Sequence, residues 1–307
     1  MFGQYSEDVL DELMAAGCEL IRADRPPGAG EDDLIARIGE AEVVVVGTER
    51  VSERVLAAAP RLRLVARHGI GYENVDVAAA RARGIQVGVV HGAMAPAVAD
   101  LAMALLLASV RKIPQGNALV KSGGWRAFDG PELPGKVLGI VGLGLIGREV
   151  RRRAKGFDLR VVAYDPMQDA EYAAEWDVTY MPLDDLLAQA DFVTLHAPVT
   201  PATRGLIGAA ELARMKPTAY LINTARGALV DEAALYEALR DGRIAGAASD
   251  VFVKEPPGEN LLLTLDNFLA MPHCGSRTPE SIRRMTQTTA QNILRVLAGE
   301  EPLFPIR

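Results

Sequence analysis

Two cysteines in 307 residues, Cys18 and Cys274, are too few for a disulfide framework or a thiolate metal set, which points to a reducing compartment. No long basic run appears and the net charge is −7, so the charge pattern offers nothing to a nucleic acid. The densest basic cluster, Arg148 with Arg151, Arg152, Arg153 and Lys155, reads as the solvated face of a helix. Long apolar runs are missing too: the longest, within Leu101–Val110, is well short of the ~20 residues that span a bilayer. The first residues carry acids and no apolar stretch, so no signal peptide is expected. Internal repeats and low-complexity segments are lacking. What remains is a cytoplasmic globular chain with no nucleic-acid or membrane partner, long enough for two domains.

Against these absences one stretch stands out, GKVLGIVGLGLIGREVRRRAKGFDLRVVAYDP, from Gly135 to Pro166. Val137–Val141 has strand character, and Gly142-Leu143-Gly144-Leu145-Ile146-Gly147 follows directly. A helical pattern (Ile146, Val150, Ala154, Phe157) leads to a second strand, Arg160–Tyr164, closed by Asp165. Strand, GxGxxG turn, helix, strand and acid in this order form the dinucleotide-binding unit. Gly142 allows a sharp turn off the strand. Gly144 lets a pyrophosphate approach the helix N-terminus, where free N–H groups favour an anion. Gly147 permits close packing of helix on strand. Asp165 lies 18 residues past Gly147, near the roughly 20 expected for a carboxylate that accepts from the adenosine ribose. The alternative is a tight strand–helix turn without a ligand.

Residues 1–90 alternate helix and strand without a glycine fingerprint of their own. Helices are expected at Ser6–Ala16 (Ser6 as N-cap), Asp32–Gly39, Ser52–Ala59 and Val75–Arg83, and strands at Cys18–Ile21, Val43–Gly47, Leu62–Ala66 and Ile85–Val90. Pro26–Gly30 is expected to be a loop. A long, almost uniformly apolar helix follows at Pro96–Val110, and such a helix must be buried on every side. Residues 112–134 read as loop. Further strands are expected at Phe192–Leu195, Ala219–Asn223, Ala245–Val251 and Phe268–Met271, with helices at Glu211–Met215, Glu232–Asp241 and Pro279–Leu297. The βα rhythm implies an α/β fold of two doubly wound parallel-sheet domains. The second, a Rossmann domain over 95–279, is inserted into the first, over 1–94 and 280–307.

Three polar residues follow late strands: Arg226 in Asn223-Thr224-Ala225-Arg226-Gly227, Glu255 past Val251, and His273 in Met271-Pro272-His273-Cys274-Gly275-Ser276. Ligands of open α/β sheets bind beyond the carboxyl ends of strands, so the three have a route to one place. Each has a plainer reading: Arg226 as a phosphate ligand or surface ion pair, Glu255 as a helix cap, His273 as a satisfied loop histidine.

Nearly the whole chain resembles the D-isomer-specific 2-hydroxyacid dehydrogenases, especially the phosphoglycerate dehydrogenase branch. The resemblance is carried by RHGIGYENVDVAAARARGI (67–85), APAVADLAMALLLASVRK (95–112), the GLGLIG turn, LHAPVTPATRGLI (195–207), LINTARGALVDEAAL (221–235), AASDVFVKEPP (247–257) and MPHCGSRTPES (271–281). It implies a catalytic group of Arg226, Glu255 and His273, with Asp250 meeting the nicotinamide amide. It implies further NAD contacts from Leu145, Ile146, His196, Ala197, Pro198, Thr203, Thr224, Ala225, His273 and Gly275. Substrate would meet Arg67, His68, Gly69, Ile70 and Gly71, with Arg226 and His273, and the carboxylate would fall on backbone around Ile70-Gly71. No metal is implied. The helix at 96–110 would lie at a homodimer contact.

The chemistry suits these residue types. Reducing a 2-keto acid needs a hydride at the carbonyl carbon and a proton at its oxygen; an imidazole titrates near neutrality and can give that proton. A carboxylate beside it favours the imidazolium and fixes its tautomer. A guanidinium holds a carboxylate in its planar fork. No serine or cysteine stands in a nucleophile elbow, which sets a hydrolase aside. The chain departs from the family at Val89, His91, Met94 and Asp100, and opens at Met1-Phe2-Gly3-Gln4 where the family has a full first strand. Arg67 offers a partner for a second substrate anion such as a phosphate, or bridges to Glu73 or Asp76. The expected activity is NAD-dependent 2-hydroxyacid oxidation or 2-keto acid reduction, with 3-phosphoglycerate and phosphohydroxypyruvate as one candidate pair. The alternatives are glyoxylate or hydroxypyruvate reduction, and a non-catalytic, NAD-sensing corepressor.

Overall fold

The computed structural model describes residues 2–22 and 30–306, and within it the chain divides into two compact units. One is Met1–Met94 with Ser276–Arg307; the other is Ala95–Gly275.

The first unit carries three parallel strands, β1 (Val43–Val46), β2 (Leu64–Arg67) and β3 (Gln86–Gly88), ordered as numbered. Side chains of β2 alternate between two cores. Val65 packs with Val55, Leu56 and Val87 on one face, whereas Leu64 and Ala66 pack with Leu13, Ile293 and Val296 on the other. Both faces are therefore covered, which is why the strands read as apolar runs rather than alternating ones. The second face is closed by the helices Glu7–Ala15 and Pro279–Leu297. Residues Cys18–Ile21 are not a strand: Cys18 N–H bonds back to the Leu13 carbonyl at 3.0 Å and the segment leaves the helix without pairing. The loop expected at Pro26–Gly30 lies, apart from Gly30, outside the described residues. Ser6 occupies the N-cap of the first helix without a capping bond from its hydroxyl.

The second unit holds a seven-stranded, wholly parallel sheet of β4 (Val137–Val141), β5 (Arg160–Tyr164), β6 (Val178–Tyr180), β7 (Phe192–Leu195), β8 (Tyr220–Asn223), β9 (Gly246–Ser249) and β10 (Phe268–Ala270). Their order is β10-β9-β8-β7-β4-β5-β6. The chain winds outward from β4 in one direction and, from β7, in the other, so the topological switch falls between β4 and β7, where such sheets bind ligands. Residues of β5 and β8 again divide between two cores, Val162 and Leu221 on one side, Val161, Ala163 and Ile222 on the other.

The apolar helix spans Ala95–Val110 and buries Val98, Ala102, Leu105, Leu106 and Val110 among the residues of its own unit. Leu101 and Leu107 are only half-buried and Ala104 is exposed, so the expected burial on every side is not reached within the described residues. Residues 112–134 are less irregular than their glycines and prolines suggest, since Ile113–Lys121 is helical with its proline in the first turn. Two helices, Ala170–Trp176 and Leu183–Gln189, flank β6 in a stretch to which the pattern assigned no element.

Candidate active site

Every residue of the expected site in the second unit lies on the stretch of chain that follows the carboxyl end of a strand. Gly142 turns the chain off β4 at φ +94°, and a Cβ there would stand 2.7 Å from the backbone of both His196 and Ala197, beyond β7. Glycine is thus required twice over, by conformation and by contact. Gly147 packs its Cα against the Gly142 carbonyl, so the helix Leu145–Ala154 sits tight on its own turn. Gly144, at the N-cap of that helix, is different: a Cβ there would meet nothing within 4 Å. Open space over exposed helix N–H groups is what an incoming pyrophosphate needs. Asp165, past β5, accepts from Leu143 N–H and Met167 N–H, each at 2.8 Å, and so fixes its carboxylate against the glycine turn. Thr224, past β8, is buried with its hydroxyl lacking a partner among the described residues. The donors and the open cradle fit a dinucleotide.

The other expected cofactor contacts are distributed along this edge. Leu145 is exposed at the start of its helix, and Ile146 packs inward. His196 sets Nε2 2.9 Å from the Thr194 hydroxyl, and burial pushes its pKa down to about 3, so the ring is neutral. Thr203 donates to the Pro198 carbonyl at 2.6 Å and shapes the turn after β7. Ala225 is buried, its N–H held at 3.0 Å by the Asn223 side chain, which also donates to the Arg226 carbonyl at 2.9 Å. Asn223 was not a sequence candidate; an Asn ending a strand one residue before a turn was the available signal.

At the β8–β10 end the three polar residues gather. His273 Nδ1 and Glu255 Oε2 are 2.6 Å apart. The other oxygen of Glu255 accepts from Phe252 N–H at 3.0 Å. Burial alone would raise the carboxyl's pKa, but the His273 bond, the Phe252 N–H and the Arg226 charge outweigh it and hold it below the usual carboxylate range. Arg226 is close enough for its charge to act on Glu255 and anchors one guanidinium nitrogen on the Ala225 carbonyl at 2.8 Å. Its approach depends on Gly227, where any Cβ would overlap the backbone of Phe252 and Val253.

Asp250 takes a part that its sequence position does not reveal. It is 1% exposed, and its two oxygens accept from Cys274 N–H and Gly275 N–H, each at 2.8 Å. Its carbonyl accepts from His273 N–H, also at 2.8 Å. Three successive amides of the histidine turn thus converge on one residue, which holds His273 at φ +51°, a conformation costly for any residue bearing a Cβ.

In the first unit the expected substrate loop follows β2. Gly69 lies under the Arg67 side chain, whose Cζ would stand 3.0 Å from an added Cβ. Gly71 is buried and Ile70 partly so. His68 points into the core: its Nδ1 lies 3.1 Å from the Thr289 hydroxyl and its ring meets Phe2 edge-on at 5.7 Å. Only its backbone faces the loop. Asp76 caps the helix Val77–Ala82 through Ala79 N–H at 2.9 Å, and Met94 is buried.

The sheet order, the switch-point turn and the acid past β5 define a Rossmann dinucleotide-binding protein. A family profile for the D-isomer specific 2-hydroxyacid dehydrogenase NAD binding domain matches residues 103–275, more than half the chain. The chain is 44% identical over 278 residues to a D-3-phosphoglycerate dehydrogenase of Methanocaldococcus jannaschii, covering 89% of itself and 53% of that protein. It is 40% identical over 292 residues to a glyoxylate reductase of Korarchaeum cryptofilum, covering 92% and 87%. The crystal structure of the TT0316 protein from Thermus thermophilus superposes with a TM-score of 0.90 at 38% identity, covering 98% of this chain and 96% of that one. The chain belongs to the D-isomer-specific 2-hydroxyacid dehydrogenase family, and its cofactor is NAD. It spans about half the length of the phosphoglycerate dehydrogenases it resembles and most of the length of the glyoxylate reductase.

Proposed function

We propose that this protein interconverts a small 2-keto acid and its 2-hydroxy acid with NAD, using Arg226, Glu255 and His273. The observation that carries the reading is the 2.6 Å pairing of His273 Nδ1 with Glu255, on the sheet edge that carries the glycine turn. When bound, the nicotinamide supplies or accepts the hydride. With Nδ1 engaged by the carboxylate, Nε2 of the His273 imidazolium passes its proton to the substrate oxygen as the hydride reaches the carbon. Glu255 stabilises the imidazolium beforehand. Arg226 holds the substrate carboxylate and polarises the carbonyl.

Asp165 favours NAD over NADP, because its carboxylate accepts from a free ribose hydroxyl and repels a 2′-phosphate. Comparing kcat/KM for NADH and NADPH tests this, and a preference for NADPH rejects it. A phosphorylated substrate is supported by Arg67 at the start of the β2 loop, whose fork suits a second anion. Against it stands the net charge of −7, which gives no steering to a polyanion. A panel of 2-keto acids, run with wild type and Arg67→Ala, decides. KM rising sharply for phosphohydroxypyruvate and little for glyoxylate supports the phosphate reading, and equal effects make Arg67 structural. No turnover with any member of the panel would favour the NAD-sensing alternative.

The two free cysteines suit a reducing, cytoplasmic setting. Self-association is supported less by the helix Ala95–Val110 than by its neighbour Ile113–Lys121, which buries nothing and is followed by Trp125 at 90% exposure. A homodimer would cover that face. A sedimentation mass near 32.9 kDa at micromolar concentration would exclude it.

A further inference from the structure

Glu255 rides on a loop with little of its own to hold it. Between Val253 and Asn260 no residue is buried, so packing contributes little to its position. The loop's two feet nevertheless meet at one side chain. Glu232, at the start of the helix Glu232–Arg240, accepts from Val253 N–H at 2.7 Å through one oxygen and from the Asn260 amide at 2.8 Å through the other. Asn260 in turn accepts from Leu262 N–H at 3.0 Å, and Leu262 is buried in the core. The helix that carries Glu232 follows Arg226 after a single 3-10 turn, Gly227–Leu229, and Gly227 brings that backbone against Phe252 and Val253, beside the foot that Glu232 grips. One carboxylate therefore ties the carrier of Arg226 to the carrier of Glu255.

We propose that Glu232 is a positioning residue for the reaction: by clamping both feet of the 253–260 loop it sets the hydrogen bond between Glu255 and His273. The proposal rests on the catalytic reading of that pair given above. The two Glu232 oxygens are engaged by Val253 and Asn260, and its influence on the pair runs through the loop. A loop freed at both feet lets the Glu255 carboxylate drift from Nδ1. The imidazolium is then stabilised less, and the proton is given from a poorer position.

The test uses the full chain with NADH and whichever keto acid the panel identifies. Glu232→Ala should lower kcat by roughly tenfold, within the ~10²-fold that a misplacement of about 1 Å can cost. KM for NADH should stay within about twofold, since the glycine turn is untouched. The acid limb of kcat/KM in the reductive direction should move up, because a Glu255 carboxylate loosened from His273 loses part of what holds its pKa below the usual range. Glu232→Gln keeps an acceptor for Val253 N–H but turns its NH2 toward the donating Asn260 amide, so it should recover only part of kcat, like Asn260→Ala. A variant that loses thermal stability while keeping wild-type kcat and an unmoved limb overturns the proposal. His273→Ala, run in parallel, separates the two claims. If it retains wild-type turnover, the catalytic reading itself is wrong. If it is inactive while Glu232→Ala behaves as wild type at every pH, only the clamp is wrong. Should Glu232→Ala not accumulate as folded protein, Asn260→Ala removes one foot alone, and an unmoved limb there overturns the proposal equally.

Discussion

His273 is held from two directions: Glu255 grips its ring, and Asp250 grips its backbone. Replacing His273 by Ala is expected to lower kcat by the ~10²–10⁴-fold typical of a lost general acid–base, with little change in NADH binding by fluorescence titration. Arg226→Ala should instead damage kcat and KM together, because a guanidinium that holds the carboxylate serves ground and transition state alike. The pH dependence has a definite sign. Glu255 has its pKa depressed in the folded protein, so its pairing with His273 is present above the ordinary carboxylate range and is lost as pH falls through the lowered value. Activity should therefore fall on the acid side through a group that Glu255→Gln abolishes. The types of the three polar residues were visible in the sequence, but their convergence needs the order of β8, β9 and β10, which spacings of 29 and 18 residues do not encode. Asp250 was visible as an acid after a strand, yet its two engaged oxygens depend on the turn at 273–275, a non-local fact.

At the scale of elements, strong periodicity was legible and mixed signals were not. The terminal helix Pro279–Leu297 has a proline at its start, a Thr278 cap on Ser281 N–H at 3.1 Å and a continuous apolar stripe, and each cue agrees with the others. The helix Ile113–Lys121 carries Pro114 and Gly116 near its start, and breaker residues in a polar stretch read as loop unless the proline falls in the first turn. The short β6, with only three residues, gives a period-2 pattern too little length to register. Contacts between elements are where a single atom matters most. Gly227→Ala should displace Phe252 and Val253, with kcat falling by an order of magnitude or more as Arg226 and Glu255 separate. Gly144→Ala meets open space instead, so the protein's thermal stability should be unchanged while KM for NADH rises. Equal effects of the two on stability would contradict this division.

For the molecule as a whole, the buried histidines set an acid limit. His68 is sunk in the first unit, and burial, with the Arg67 charge beside it, pushes its pKa down to about 4. Thr289 donates to the Met285 carbonyl at 2.8 Å, so its oxygen accepts from Nδ1–H and the neutral tautomer satisfies the pair. A histidine more acidic folded than unfolded takes up a proton on unfolding. Stability is then complete above the unfolded value near 6.5 and is lost progressively as pH falls toward 4, by about 3 kcal/mol for such a shift. Urea unfolding at pH 7 and pH 4.5 measures the loss, and His68→Asn, whose amide can still donate to Thr289, should remove the part due to His68 and leave the part due to the buried His196. A wild-type loss that persists undiminished in that variant would place the acid sensitivity elsewhere.

The division of the first unit also bears on how the protein is made. Leu64 and Ala66 of β2 find their partners on the helix Pro279–Leu297, which leaves the ribosome only after the whole of Ala95–Gly275. At about 5–20 residues per second, that intervening stretch of roughly 180 residues takes some ten to forty seconds to synthesise. Throughout that interval one face of the nascent sheet is covered by the helix Glu7–Ala15 alone, while the inserted unit, contiguous in sequence, can complete its own core. The order of maturation is then the reverse of the order of synthesis: the second unit to be translated is the first to finish. A fragment ending at Met94 should remain aggregation-prone, and a fragment of Ala95–Gly275 should fold and retain NAD.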